Sequence, residues 1–252
     1  MRTATLPLLL IVAGCAGGYA GSGVPLPVGA FRAEDRVVLG NFSTVQAVAS
    51  SFDRMYAVFP SAVAISDPRT GRWQVPHQAP TPNALGGVFA ALVDPLDRSL
   101  WIADQRQVIH FDPMMQQWDA TPVPGGIRQL ALDIAAPGTG VWVAASAGWL
   151  AVPRVGAPRR MQPPSTLRPA PTLEDALEDI PALRAMAPAM LQGPGMMPVR
   201  LTAAAPVPDG SGWYVGTEVI GLVKVDRVGI SMERMEFGLP GDWVGAVLGV
   251  AG

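Results

Sequence analysis

The chain has 252 residues, of which 49% are hydrophobic and only 15% are charged. This balance excludes disorder over most of the length and indicates a well-buried core. The 18 basic and 20 acidic residues give a formal charge of −2, which leaves no basic stripe for nucleic acid, and the single cysteine excludes an internal disulfide.

The first fifteen residues indicate where the protein works. A short basic start leads into an apolar run at residues 6–12, far shorter than the ~20 residues that a bilayer span needs. Residues 12–15, Val-Ala-Gly-Cys, resemble the lipobox of bacterial lipoproteins. The resemblance implies a signal peptide at residues 1–14, cleavage between Gly14 and Cys15, and a diacylglycerol on the Cys15 sulfur. The alternatives are an ordinary secretory signal with an incidental cysteine, or a membrane helix.

The stretch that follows is rich in glycine and other small residues. This composition is typical of a flexible linker. We therefore expect a tether at residues 15–35, between the lipid and a folded body at residues 36–252.

The folded body contains a repeat of about forty residues. Its copies have an aromatic-led strand at Tyr56, Trp101, Trp142 and Trp213. Tyr56 to Trp101 is 45 positions and Trp101 to Trp142 is 41, the period expected of four-stranded propeller blades. Such a blade is hydrophobic on both faces and is stable only when it stacks on its neighbours. We expect the aromatic-led strand to be an inner strand, and Asp-Pro to begin the hairpin turns.

Two of these copies carry a specific resemblance. Residues 99–103, Ser-Leu-Trp-Ile-Ala, precede His-Phe-Asp-Pro at 110–113, and residues 213–217 read Trp-Tyr-Val-Gly-Thr. They resemble the two-component-regulator propeller repeat. The resemblance implies an all-β fold, a β-propeller of about four blades, and it implies no activity. The first copy departs from the pattern with Tyr56, and the third copy lacks the Asp-Pro turn.

Residues 163–198 interrupt the repeat and predict a short helical insertion. Thr172 has the features of an N-cap, and one face of a helix over 173–187 would carry Leu173, Leu177, Ile180 and Met186. Pro181 should kink or split that helix. The insertion is either decoration on the propeller, or a lid or partner-docking arm to which Met190, Met196 and Met197 would give an adaptable apolar contact.

Residues 238–248 read as the opening strand of a fifth blade. Four blades could close as a small ring if a strand around residues 36–48 completes the last sheet. Otherwise the propeller is incomplete, and exposed blade faces and strand edges would favour association.

The sequence contains no motif that pairs a nucleophile with a base and no metal-ligand cluster, so we assign no catalytic residue, metal site or cofactor. His77 lies in a Pro-rich turn, and His110 alternates with apolar residues as a packed strand residue. A solvated helix face accounts for the acidic residues Glu174, Asp175, Glu178 and Asp179. Four acids of one blade could line a rim, but their spacing is not that of a calcium loop: Asp94, Asp97, Asp104 and Asp112.

The sequence favours a membrane-anchored envelope lipoprotein, a non-enzymatic binding or scaffold module with a lipid anchor and a protein partner in the envelope. Ala16 after Cys15 favours the outer membrane under the sorting rule of enteric bacteria. The alternative from another class is a propeller-type polysaccharide hydrolase or lyase with channel-lining acids. A third possibility is a fragment of a longer reading frame.

Overall fold

The computed structural model describes residues 44–74, 76–81, 83–184, 198–227 and 232–235. They belong to one unit that spans Gly40–Met235. Four antiparallel sheets form a ring, a four-bladed β-propeller, and this confirms the fold class that the repeat predicts.

The blades follow one another along the chain. Blade 1 has strands β1–β4, at Ala47–Ser50, Met55–Phe59, Ala62–Ser66 and His77–Gln78. Blade 2 has β5–β8, at Ala90–Val93, Leu100–Ala103, Gln107–Asp112 and Gln117–Pro122. Blade 3 has β9–β13, at Ile127–Asp133, Gly140–Ala145, Gly148–Pro153, Arg159–Arg160 and Leu167–Pro169. Blade 4 has β14–β17, at Leu201–Pro206, Gly212–Thr217, Leu222–Asp226 and Met232–Met235.

Apolar side chains on both faces of the strands hold the blades together, because successive side chains of a strand point to opposite sheet faces. Between blades 1 and 2 a buried cluster joins side chains of both sheets, among them Tyr56, Val58, Leu100, Ile102 and Phe111. Between blades 2 and 3 an equivalent cluster contains Trp101, Val108, Leu130, Val143 and Leu150. The sheet of blade 2 therefore separates two hydrophobic clusters and contributes side chains to both.

The aromatic-led strand is second in its sheet, where it has a neighbouring strand on both sides. The first strand of each blade lies innermost in the repeat, and contacts of β14 with β1, of β1 with β5 and of β5 with β9 join neighbouring blades. Three of them are rich in alanine, with the sequences AVAS, AALV and LTAAAP. Small residues suit this position because the strands converge near the ring axis, whereas the bulky aromatic residues fill the wider space farther out.

Blades 1 and 4 meet directly. The Val45 backbone N–H donates to the Thr217 carbonyl oxygen at 2.9 Å, and the Ser50 hydroxyl donates to the Pro206 carbonyl oxygen at 2.5 Å. We expected a strand around residues 36–48 to complete the last sheet. For residues 44–48, the described part of that range, this expectation is wrong. Strand β1 pairs with β2, and β14–β17 form the fourth sheet by themselves. Residues 238–248, the expected fifth-blade strand, lie outside the described residues.

The insertion begins with β13, which adds a fifth strand to blade 3. It pairs antiparallel with β9, opposing Leu167 to Asp133 and Pro169 to Ala131. The Ala170 N–H then donates to the Leu130 carbonyl oxygen at 2.8 Å. Since β9 is otherwise the innermost strand of its sheet, β13 covers the hydrogen-bonding edge that faces the ring axis.

The helix of the insertion, α1, spans Leu173–Asp179. Thr172 is its N-cap as predicted, and it forms a capping box with Asp175. The chain leaves the helix at Ile180 and is helical again at 181–184, so the predicted interruption at Pro181 is confirmed. Met186 and the methionines 190, 196 and 197 lie outside the described residues.

Helix α1 packs on blade 4. Ala176 of α1 and the following Ile180 and Leu183 are buried in a cluster with apolar residues of that blade: Val199, Ala204, Trp213, Val215, Val223 and Val225. On blades 2 and 3 the corresponding sheet face packs against the preceding blade. The helix therefore lies on the propeller and contributes buried side chains to its core.

None of the helices in the described parts of the chain is long and apolar enough to cross a membrane.

Candidate binding surface

The loops at the ends of the strands form two opposite faces. Loop face A is the face formed by two kinds of loop: those that join the first strand of a blade to the second, and those that join the third strand to the fourth. These loops lie at residues 51–54, 67–72, 94–99, 113–116, 134–139, 154–158 and 207–211. Loop face B contains the loops at the other strand ends, at residues 60–61, 79–81, 83–89, 104–106, 123–126, 146–147 and 218–221.

Aspartate side chains shape the turns of loop face A. In five of the seven loops a carboxylate accepts the backbone N–H two residues later, as in Asp94 to Leu96 and Asp112 to Met114 at 2.9 and 2.8 Å. Four further aspartates do the same: Asp67, Asp97, Asp133 and Asp209. Such local bonds give the backbone a fixed turn without a neighbouring strand.

This finding corrects the suggestion that four acids of blade 2 line a rim together. Asp104 caps a turn on loop face B, where it accepts the N–H of Arg106 at 2.6 Å. Asp94, Asp97 and Asp112 lie on loop face A, and each accepts a backbone N–H of its own turn. Within the described residues no group of three His, Cys, Asp or Glu could hold a metal ion.

Large apolar side chains are exposed mainly on loop face A. Among the described residues, six of the nine exposed large hydrophobic side chains lie there, with exposed fractions of 58–91%: Phe52, Leu96, Met114, Met115, Ile134 and Val155. The other three lie at the opposite strand ends with fractions of 37–52%: Phe89, Met161 and Val219. A concentration of exposed apolar side chains on one side of a protein is typical of an interaction surface.

Polar contacts join the loops of face A across the blades. Arg98 of blade 2 forms an ion pair with Asp53 of blade 1, with 2.9 Å between Nη1 and Oδ2. Arg154 of blade 3 forms an ion pair with Asp97 of blade 2. Asp94 also accepts the Gly138 N–H of blade 3 at 2.9 Å. The exposed apolar residues are thus held on a surface that is tied together from blade 1 to blade 3.

A recess of about 440 Å³ opens on this face between blades 1 and 2. Its lining contains two apolar residues, Phe52 and Pro95, two arginines, Arg69 and Arg98, and the polar residues Ser51 and Asp53.

His110 lies below loop face A between blades 2 and 3. It is 6% exposed, and its ring centroid is 4.4 Å from that of Trp101. Its Nε2 lies 3.4 Å from Nη2 of Arg154, and Asp119 approaches Nδ1 at 3.9 Å. Burial and then the Arg154 charge lower the His110 pKa. His110 is a packed residue, as predicted.

His77 is in a strand and not in a turn, which corrects its interpretation. It belongs to β4 and opposes Val63 of β3. Its ring lies 5.1 Å from that of Phe111 in blade 2. The Pro-rich surroundings suggested a turn, but pairing with β3 extends the chain there.

Asp179 is exposed, as expected of the solvated helix face, and it also binds blade 4. It accepts a hydrogen bond from Trp213 Nε1 at 2.7 Å and another from Arg227 at 2.8 Å. The Trp213 bond, followed by Arg227, lowers the Asp179 pKa. Asp179 therefore fastens α1 to blade 4, whereas Glu174 forms an exposed pair with Arg184.

The predicted cleavage and lipidation positions, Gly14 and Cys15, lie outside the described residues. Sequence reasoning missed loop face A altogether. The available signal was an apolar residue close to a turn aspartate, as in Phe52-Asp53, Asp94-Pro95-Leu96 and Asp133-Ile134.

No protein-family model matches the chain, and no curated protein matches it. Solved structures similar to it include apo AztD from Citrobacter koseri, with 10% identity, a TM-score of 0.38, and coverage of 79% of this chain and 47% of that chain. The β-propeller domain of Cps50 (Swd1) from Myceliophteria thermophila has 18% identity, a TM-score of 0.38, and coverage of 79% and 58%. The extracellular domain of a putative one-component system from B. thetaiotaomicron has 10% identity, a TM-score of 0.35, and coverage of 76% and 22%. This chain spans less than two thirds of each of them.

Proposed function

We propose that the protein is a non-enzymatic binding module of the cell envelope, lipid-anchored through Cys15, which presents loop face A to a protein partner. The observation that carries the proposal is the concentration of six highly exposed apolar side chains on that face. Water contact with such residues is unfavourable, and burial against a partner removes it. The aspartate-stabilised turns of loop face A support this role. They fix the loops before binding, which lowers the entropy cost of association.

The alternative, a polysaccharide hydrolase or lyase with acids in the central channel, has less support. Strand β13 covers the inner edge of blade 3, where such a channel would open. The aspartates of loop face A accept hydrogen bonds from their own turns, and this use accounts for their positions.

Site-specific photocrosslinking in the producing cells tests the proposal. A photoreactive residue would replace Ile134 or Met115 on loop face A, and Phe89 or Val219 on loop face B as matched controls. We expect one protein adduct of defined mass from both loop face A positions and none from loop face B. Equal adducts from both faces, or only phospholipid adducts from loop face A, would contradict the proposal.

The anchor is tested separately by intact mass. The membrane-extracted protein should have the mass of a chain that begins at Cys15 with a lipid adduct. The Cys15→Ser variant should lose that adduct and leave the membrane fraction. A wild-type protein without lipid would remove the anchor from the proposal and leave the role of loop face A to the crosslinks.

A further inference from the structure

We propose that the recess between blades 1 and 2 binds an acidic peptide segment that carries one bulky apolar side chain. This inference rests on the proposed function, because it names the kind of segment with which a protein partner would engage loop face A.

The apolar part of the recess is suited to a single large side chain. Phe52 and Pro95 lie on opposite sides of the blade junction and give its lining two apolar surfaces. The volume of about 440 Å³ lies in the range of small ligand sites, roughly 300–1,000 Å³. A bulky apolar side chain that enters the recess would cover Phe52, which is 75% exposed.

The charged part of the recess favours an anion. Arg98 is 54% exposed while its partner Asp53 is 19% exposed, and Arg69 is 62% exposed while its partner Asp67 is 30% exposed. The guanidinium groups thus face solvent and the carboxylates face the protein. Each guanidinium has five N–H donors, and one carboxylate partner leaves several of them for a ligand.

The backbone under Arg98 is fixed before any ligand arrives. Its carbonyl oxygen accepts the hydroxyl of the buried Tyr56 at 2.5 Å, and its N–H donates to the Asp94 carbonyl oxygen at 2.8 Å. Arg98 also has a left-handed φ of 64°, a conformation that these contacts maintain. A preorganised arginine binds a carboxylate with a smaller loss of entropy than one on a mobile loop.

The test is an NMR titration of the full mature chain with three capped peptides. The first is acetyl-Asp-Phe-Glu-amide, the second replaces both acids by Asn and Gln, and the third replaces Phe by Gly. We expect saturable shifts of the Arg69 and Arg98 Nε–H signals with the first peptide. The second and third peptides should bind at least about tenfold more weakly, since each lacks one of the two recognised groups.

Variants assign the binding to the recess. The double change Arg69→Gln and Arg98→Gln should weaken binding of the first peptide about tenfold or more. Arg200→Gln is the matched control, because Arg200 is an exposed arginine in an ion pair with Glu218 of loop face B. Phe52→Ser should also weaken binding. An unchanged melting midpoint and unchanged amide signals in the other blades would show that the variants are folded.

Two results would overturn the inference: no saturable shift at Arg69 and Arg98, or equal binding of the acidic and amide peptides. The outcomes separate the two proposals. If the peptide does not bind but Ile134 and Met115 give a specific crosslink, the recess is rejected as the binding site. The proposed role of loop face A is then retained. Peptide binding without any protein crosslink would reject the proposed function of the face.

Discussion

Single aspartate residues determine the shape of loop face A. Asp94 accepts one N–H of its own turn and one from Gly138 in the next blade, so a single carboxylate fixes two loops. Asp97 accepts the Ser99 N–H and pairs with Arg154. The positions of the exposed residues Leu96 and Val155 therefore depend on the carboxylates of Asp94 and Asp97.

His110 gives a prediction for the dependence of stability on pH. Burial and Arg154 lower its pKa below the ordinary value of 6.5 in the folded protein. The folded state then binds fewer protons than the unfolded state, so this part of the stability is present above pH 6.5 and is lost as the pH falls toward the folded-state pKa. We expect the His110→Gln variant to lose less stability between about pH 7 and pH 5 than the wild type.

Urea unfolding midpoints at several pH values measure this effect. His77→Gln is a parallel test, because burial and then Arg54 also lower the His77 pKa, and this variant should reduce the pH dependence in the same direction. Equal pH dependence of the wild type and of His110→Gln would contradict the prediction.

At the scale of elements, the sequence predicts where the strands and α1 lie but not what α1 contacts. The Thr172 cap and the spacing of Leu173, Leu177 and Ile180 carry the local information, and both agree with the structure. The face of blade 4 that receives the helix has the same alternating apolar pattern as a face that receives another blade. Local patterning therefore cannot distinguish the two partners.

Leu183→Ala tests whether the insertion is part of the core. Leu183 is fully buried against blade 4, and truncation of such a side chain costs about 2–5 kcal/mol because it leaves a cavity. We expect that loss of stability together with faster amide hydrogen exchange in β14 and β15. Leu96→Ala, at an exposed leucine, should change stability by less than about 0.5 kcal/mol. Similar small effects for both variants would show that α1 is loosely attached.

At the scale of the whole molecule, the repeat period predicts a ring of blades. No pattern in the sequence predicts how the first and last blades meet to close that ring. Closure depends on contacts between residues far apart in the chain, such as Val45 with Thr217 and Ser50 with Pro206. The positions of these groups follow from the stacking of all four blades. The candidate surface was missed for a similar reason, since Phe52 and Ile134 share a face only after the ring forms.

Gly216→Ala tests the contact between blades 1 and 4. A Cβ at Gly216 would lie 2.7 Å from Cγ1 of Val45, closer than real Cβ atoms come. We expect this overpacked variant to lose about 1–3 kcal/mol of stability. Val45→Ala removes the Cγ1 atom but keeps the Cβ, which would lie 2.9 Å from the new methyl group. The relief is therefore partial, and the double variant should be less destabilised than the sum of the two single variants. Denaturant unfolding of all four proteins gives the coupling energy, and simple additivity would contradict the packing of Val45 on Gly216.

The placement of the insertion makes it inseparable from the blades on either side. Strand β13 satisfies the inner edge of β9, and α1 covers the apolar face of blade 4. A chain that lacked residues 167–184 would expose an unpaired strand edge and an apolar sheet at once, the two features that most readily lead molecules to pair with one another. We therefore expect the segment that interrupts the repeat to keep the ring from self-associating.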